Sequence, residues 1–141
     1  MESKRKILFI INPISGTGKK KIIEKLLEEY LDKSAIEFEI KYTEFAGHAI
    51  EISKKVVDQN NYECVIAVGG DGSVNEVANG LIGSKVILGI IPVGSGNGFA
   101  RHMKIPLNLK DAIIALNKGR IQSVDTGEIN NHKFVGIAGA G

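Results

Sequence analysis

Short apolar runs alternate with helical patterns along most of this chain, and this alternation limits what it can fold into. Three runs are almost continuously apolar, as is typical of strands that are covered on both faces. They are Lys6–Asn12, Cys64–Val68 and Val86–Ile91. The run Glu37–Thr43 alternates instead, which indicates a strand nearer a sheet edge. Strands that alternate with helices form βαβ units around a parallel sheet. We therefore predict an α/β fold, an open and mostly parallel sheet with helices on both faces.

Helical periodicity fills the intervals between these strands. Apolar residues three and four positions apart predict helices over Lys19–Lys33, Ala46–Asn60, Ser73–Ile82 and Asn108–Asn117. We expect a further short helix to start near Ser95. After the last helix, two apolar segments predict a pair of strands, Arg120–Ile129 and Lys133–Ile137.

The composition is that of one globular domain. The chain has 141 residues, of which 43% are hydrophobic and 24% charged, enough for a core of its own. A net charge of +2, without a basic stripe interleaved with aromatics, argues against a nucleic-acid partner. No apolar run approaches the roughly 18 residues that span a bilayer, so we expect no transmembrane segment. The single cysteine, Cys64, is typical of a cytoplasmic protein, and its apolar context predicts core packing.

The carboxyl terminus has an unusual pattern. An apolar strand pattern runs directly into Gly139-Ala140-Gly141, with no polar tail or terminal helix. We interpret residues 1–141 as a single α/β domain and expect it to be the first part of a longer chain.

Glycine-rich turns follow three of the predicted strands. One of them, Gly69-Gly70-Asp71-Gly72, closes the third strand and leads into a helix. Glycines let the backbone approach a ligand, and the unpaired N–H groups at a helix start suit a phosphate. A carboxylate there makes sense beside a divalent cation, or as a base that takes a proton from a hydroxyl. The turn therefore predicts phosphate, Mg²⁺ and acid–base chemistry together. The structural alternative is a tight turn with Asp71 as the helix N-cap.

Two further turns strengthen the phosphate interpretation. The first strand runs into residues 12–19 (NPISGTGK), and the fourth into residues 92–101 (PVGSGNGFAR). Parallel strands place all three turns at one edge of the sheet, where ligands of such sheets bind. Pro13 stands where a P-loop needs glycine, and Phe99 stands where a dinucleotide fingerprint needs one. A P-loop enzyme and a simple nicotinamide-binding domain are therefore disfavoured.

Together the three turns resemble the catalytic domain of diacylglycerol kinases and of the related sphingosine, ceramide and bacterial lipid kinases. The resemblance rests on three ordered motifs, Asn12-Pro-x-Ser-Gly16, Gly69-Gly-Asp-Gly-Ser-x-x-Glu76 and Pro92-x-Gly-Ser-Gly-Asn97. It implies transfer of the γ-phosphoryl group of ATP to a lipid hydroxyl at the membrane surface, with Mg²⁺. It also implies a second, β-rich domain that this sequence does not encode, so we expect the chain alone to be weakly active or inactive.

The same resemblance assigns roles to individual residues. Those that would line the nucleotide are Asn12, Ser15, Gly16, Gly18, Lys19, Thr43, Gly69, Gly70, Gly72, Ser73, Glu76, Ser95 and Asn97. Asp71 would act as the base or join the Mg²⁺ network, and both roles stay open. Asp125 matches a family aspartate that would help to hold the metal, with a plain strand-end residue as the alternative. Gly98 departs from the family pattern, since many members have aspartate there.

Two other functions are compatible with the sequence. A kinase of a soluble substrate such as NAD also uses Gly-Gly-Asp-Gly, although the Ser95-Gly96-Asn97 turn favours the lipid kinases. A nucleotide-binding module without catalysis would account for Gly98 in place of aspartate. We expect a cytoplasmic protein, peripheral to the membrane, and a homodimer is compatible with this interpretation. His48 is expected at a helix start and not as a metal ligand.

Overall fold

Strands and helices alternate along the chain, as the sequence predicts. The computed structural model describes residues 4–13, 20–92, 109–117, 122–124 and 134–136. The strands are β1 (Arg5–Ile11), β2 (Ile36–Tyr42), β3 (Cys64–Gly69), β4 (Ile87–Pro92), β5 (Gln122–Val124) and β6 (Phe134–Gly136). The helices are α1 (Lys20–Tyr30), α2 (His48–Gln59), α3 (Asp71–Gly80) and α4 (Leu109–Asn117).

The first four strands form a parallel sheet in the order β2-β1-β3-β4. Strand β1 lies between β2 and β3, with Ile7 opposite Phe38 on one side and Cys64 on the other. The chain therefore leaves β1 in one direction to make β2 and returns past it to make β3. This reversal between β1 and β3 is the place where open α/β sheets bind ligands, beyond the carboxyl ends of the strands. Strands β5 and β6 pair with each other antiparallel, as the last two predicted segments suggest.

Helices cover both faces of the sheet. Helices α2 and α3 pack on one face, where Ile52 and Val77 join Leu8 in a buried cluster. Helices α1 and α4 pack on the other face, where Leu27 and Leu116 are fully buried. Because β1 and β3 are covered on both sides, their sequences are continuously apolar. Strand β2 is half-exposed in alternation, as predicted for a strand nearer the edge. Across the described ranges, no helix has both the length and the apolar character needed to cross a membrane.

Several boundaries differ from the sequence prediction, among them those of α2, which runs from His48 to Gln59 and not from Ala46 to Asn60, and two of the differences have a clear local reason. Helix α1 ends at Tyr30 and not at Lys33, because the Asp32 carboxylate accepts the Ser34 N–H (3.0 Å) and forms a turn there. The second difference concerns α3, which begins at Asp71 and not at Ser73. The predicted helix near Ser95 lies outside the described residues.

The N-cap of α3 is Gly70, so the interpretation of Asp71 as the cap is wrong. Gly70 has an extended backbone (φ −96°, ψ −164°), and no side chain caps the helix. The Gly70 carbonyl accepts the first helical hydrogen bond, from the Val74 N–H (3.2 Å). Asp71 is therefore the first helical residue, where a negative charge interacts favourably with the helix dipole.

Helices α2 and α3 approach each other most closely at Gly80. A Cβ at Gly80 would lie 2.4 Å from Ser53 Cβ and 2.7 Å from the Ile50 carbonyl oxygen. Ser53 is fully buried, and its hydroxyl has no hydrogen-bond partner in the described part of the chain. The space between the helices therefore requires glycine at this position.

Asn117, the last residue of α4, connects that helix to the end of α1. Its side-chain amide donates to the Tyr30 carbonyl (2.7 Å), and its carbonyl oxygen accepts the Asp32 N–H (2.9 Å). The last carbonyls of a helix have no partner within the helix, so these bonds stabilise the end of α1. We expect Asn117→Ala to lower the free energy of unfolding by about 1 kcal/mol, measured by urea denaturation. Asn61→Ala, in the exposed loop before β3, is the control, and an equal effect of both changes would contradict this role.

Candidate functional site

The carboxyl ends of three strands meet along one edge of the sheet. The strand register places Asn12, Thr43 and Gly69 beside one another at this edge. The Thr43 N–H donates to the Ile11 carbonyl (2.9 Å), and the Asn12 N–H donates to the Val68 carbonyl (3.4 Å). The sheet hydrogen bonding thus extends one residue beyond the strands. The structure therefore brings together those predicted site residues that lie within its described ranges.

A cavity of about 240 Å³ opens at this edge, on the face that α2 and α3 cover. It is lined by Ile10, Asn12, Thr43, Glu44, Phe45, Ala46, Ala49, Ser73 and Glu76. Four of these, Asn12, Thr43, Ser73 and Glu76, are predicted site residues. The cavity therefore lies between the loop that follows β2 and the first two turns of α3.

The glycine-rich turn after β3 becomes the first turn of α3. Three backbone N–H groups, those of Asp71, Gly72 and Ser73, precede the first helical hydrogen bond and have no acceptor within the helix. Asp71 and Gly72 are exposed, and a Cβ built on Gly72 would have no atom of the described residues within 4 Å. Packing among the described residues therefore does not require glycine at this position. An open space in front of a helix N-terminus suits an anion.

Glu76 connects the two walls of the cavity. Its Oε1 atom accepts the Gly47 N–H (3.2 Å), which joins α3 to the loop before α2. Gly47 has φ +88°, in the left-handed region that favours glycine. The sequence prediction placed Glu76 beside a nucleotide. In the structure it lines the cavity and also holds the neighbouring loop.

An aromatic pair that the sequence analysis missed lies in the loop after β2. The Phe45 and His48 rings stack with centroids 4.4 Å apart and an angle of 13°. The His48 Nδ1 atom accepts the Glu44 N–H (2.9 Å), and the His48 N–H donates to the Phe45 carbonyl (3.1 Å). His48 is the first residue of α2, so it lies at a helix start as predicted, although the helix was predicted to begin at Ala46. The available signal was a single aromatic residue in the loop after β2, which has no periodicity of its own.

One predicted metal-site residue, Asp71, lies within the described residues. Among them, no group of three or more His, Cys, Asp or Glu side chains is placed to hold a metal ion. Asp71 offers one carboxylate at the edge, and Mg²⁺ is usually held by one or two carboxylates together with substrate phosphates and water. The other predicted site residues lie outside the part of the chain that the structure describes. They are Ser15, Gly16, Gly18, Lys19, Ser95, Asn97 and Asp125, and Gly98 lies outside it as well.

The side chains with strongly raised pKa values have structural roles. Burial raises the pKa of the Cys64 thiol, which keeps it protonated in the core, as its apolar context predicts. Burial and a hydrogen bond to the Glu24 carboxylate raise the pKa of the Tyr42 hydroxyl. Burial and a hydrogen bond to Glu39 (2.5 Å) raise the pKa of Tyr62 to about 12. Both hydroxyls stay protonated at neutral pH and connect β2 to neighbouring elements.

Known proteins resemble this chain in both sequence and structure. The family model described as the diacylglycerol kinase catalytic domain matches residues 6–129. A diacylglycerol kinase of Bacillus subtilis is 38% identical over 94% of this chain and 44% of its own length. One from Staphylococcus saprophyticus is 34% identical over 98% of this chain and 46% of its own length. The crystal structure of a diacylglycerol kinase from Bacillus anthracis has a TM-score of 0.74 and 27% identity, covering 88% of this chain and 43% of that one.

These similarities confirm both the predicted fold and the family that the three motifs indicate. The chain spans less than half the length of the curated relatives it matches. Within that span, the match covers the edge where Asn12, Thr43 and the turn after β3 meet. This chain belongs to the diacylglycerol kinase catalytic domain family.

Proposed function

We propose that this chain provides the ATP-binding part of a kinase that transfers the γ-phosphoryl group of ATP to a lipid hydroxyl. Diacylglycerol or a related lipid is the acceptor. The observation that carries the proposal is the convergence of Asn12, Thr43 and the Gly69–Gly72 turn at one edge of the sheet, beside the N-terminus of α3. Relatives named diacylglycerol kinase support the same activity. We further propose that a β-rich C-terminal part completes the cleft.

The geometry suits phosphoryl transfer because this reaction depends mainly on positioning and on charge stabilisation. The lipid hydroxyl oxygen bonds to the γ-phosphorus, the bond to the bridging oxygen breaks, and ADP leaves. The backbone N–H groups at the start of α3 donate to phosphate oxygens, and the helix dipole favours the negative charge of those oxygens. Mg²⁺, when bound with ATP, neutralises phosphate charge. Asp71 either receives the proton of the lipid hydroxyl or joins the metal network.

The proposed acceptor also determines where the enzyme works. A diacylglycerol-like lipid resides in a bilayer, so the phosphates held at the carboxyl edge must come close to a membrane surface. We propose a cytoplasmic enzyme that contacts the membrane peripherally and draws its ATP from the cytoplasm.

An acceptor screen tests the proposed function against its two alternatives. The full-length protein is incubated with Mg²⁺ and γ-labelled ATP, with diacylglycerol and sphingosine in mixed micelles, or with NAD in solution. Labelled lipid is the expected product. Labelled NAD alone would indicate a kinase of a soluble substrate. ATP binding without any labelled acceptor would indicate a nucleotide-binding module.

Gly72→Ala is expected to separate nucleotide binding from folding. A Cβ there meets no atom of the described residues, and alanine favours a helix over glycine by up to about 1 kcal/mol, so stability should stay constant or rise. The new methyl group would stand in the exposed first turn of α3, where we propose that phosphate binds. We expect the KM for ATP to rise about tenfold, as for the loss of one charge-assisted hydrogen bond. Kinetics and thermal unfolding of the same preparation check this, and an unchanged KM would remove the helix start from the phosphate site.

A further inference from the structure

We propose that the Phe45 ring is the surface on which the purine base of the bound nucleotide stacks. This inference rests on the proposed function and assigns the base to the end of the cavity farther from the start of α3. The phosphates then occupy the end that Ser73 lines, next to the N-terminus of α3.

The position of the Phe45 ring leaves one side available to a ligand. Phe45 lines the cavity together with Asn12 and Thr43. His48 does not line the cavity, and it borders a neighbouring groove together with Lys55. His48 therefore stacks on the side of the Phe45 ring that faces away from the cavity, with 4.4 Å between the ring centroids. The side of the ring toward the cavity meets whatever enters it.

Hydrogen bonds fix the loop that carries this ring, and Phe45 itself is 53% exposed. The His48 imidazole behind it is fixed by the Glu44 N–H, and the His48 N–H in turn bonds to the Phe45 carbonyl. The Gly47 N–H bonds to Glu76 on α3, which fixes the other end of the loop. An exposed apolar side chain is ordinary by itself, but one held by its loop at the wall of a cavity is a recognition surface.

A planar heterocyclic base matches the chemistry of this wall. Aromatic side chains stack on any nucleobase, because every base has a π-face. Asn12 and Thr43 line the same cavity, and an amide and a hydroxyl are side-chain types that suit the polar edge of a base. The cavity also continues to Ser73 in the first turn of α3, so one molecule with a base and a polyphosphate can reach both ends.

A comparison of ATP with inorganic tripolyphosphate tests this assignment, because tripolyphosphate lacks the base. In the full-length protein, Phe45→Ala should weaken ATP binding about tenfold, as expected for the loss of one base–aromatic stack. Inhibition by tripolyphosphate should stay unchanged. Phe45→Trp keeps an aromatic face and should retain ATP affinity. Ile82→Ala is the matched control, since Ile82 is also 53% exposed but lies after the end of α3.

Three results would overturn the assignment. If Phe45→Ala weakened the binding of ATP and the binding of tripolyphosphate equally, the substitution would have changed the shape of the loop and not removed a stacking surface. A changed KM for the lipid with unchanged ATP affinity would mean that Phe45 contacts the acyl chains. Unchanged ATP and lipid constants would mean that Phe45 has no role in either site. If the unaltered protein binds no ATP, the proposed function fails as well, and this outcome is distinct from the other three.

Discussion

Asp71→Asn should lower the rate of lipid phosphorylation by at least about a hundredfold, the usual contribution of a catalytic acid or base. Asparagine has nearly the same shape and stays compatible with the first turn of α3, but it carries no charge and accepts no proton. Loss of the favourable charge–dipole interaction costs up to about 1 kcal/mol of stability, too little to unfold a typical domain. The measurement is kcat at saturating ATP and lipid, with circular dichroism as the check on folding.

Asp58→Asn provides the control for charge alone. Asp58 is exposed near the end of α2, far along the helix from the carboxyl edge, and its loss changes the net charge equally. The dependence on Mg²⁺ separates the two roles of Asp71. If Asp71 joins the metal network, Asp71→Asn raises the Mg²⁺ concentration that gives half-maximal rate. If Asp71 is the base, the Mg²⁺ requirement is unchanged. Near-normal kcat would exclude Asp71 from the site.

Gly80→Ala should destabilise the fold by about 2 kcal/mol, because the added Cβ cannot fit between α2 and α3. It would lie 2.7 Å from the Ile50 carbonyl oxygen, which belongs to the backbone and cannot rotate away. The helices must therefore move apart. Urea denaturation gives the free energy of unfolding, and the matched control is Gly72→Ala in the same helix, where the new Cβ meets no atom of the described residues. Gly80→Ala should lower the free energy of unfolding, whereas Gly72→Ala should leave it constant or raise it.

Ser53→Gly tests whether the contact with Ser53 causes this loss. Removing the Ser53 side chain eliminates the 2.4 Å contact and leaves only the one with the Ile50 carbonyl. The double variant should therefore lose less stability than the sum of the two single variants. Strictly additive effects would show that the contact with Ser53 does not cause the loss, and an unchanged stability of Gly80→Ala would show that the helices separate at little cost.

The fold could be predicted from the sequence because its main signals are local. Continuous apolar runs identify β1 and β3 as strands buried on both faces, and the alternation in β2 identifies a strand nearer the edge. The exact helix boundaries were less predictable. The end of α1 depends on the side chain of Asp32, and the start of α3 depends on the backbone of Gly70. Neither changes the apolar periodicity on which the prediction rests.

The site was predictable only where the chemistry of a residue differs from that of its neighbours. Glycines beside Asp71 stand out in the sequence, and so does the asparagine that follows β1. The hydrogen bond from Gly47 to Glu76 joins residues far apart in sequence, and only the packing of α2 against α3 brings them together. Phe45 was missed because an aromatic residue in a loop has no pattern of its own. Its importance comes from the cavity beside it and from the imidazole behind it.

Two contacts join α3 to α2 and to the loop before it. Glu76 accepts a hydrogen bond from Gly47, and Gly80, one helical turn later on α3, lies against Ser53. Two such contacts oppose rotation or sliding of α3 along α2. The distance between the loop after β2 and the amides at the start of α3 is thus set before any ligand arrives, so binding need not order either wall and loses little backbone entropy. Substitutions in the loop could then alter which ligand fits while the amides keep their positions.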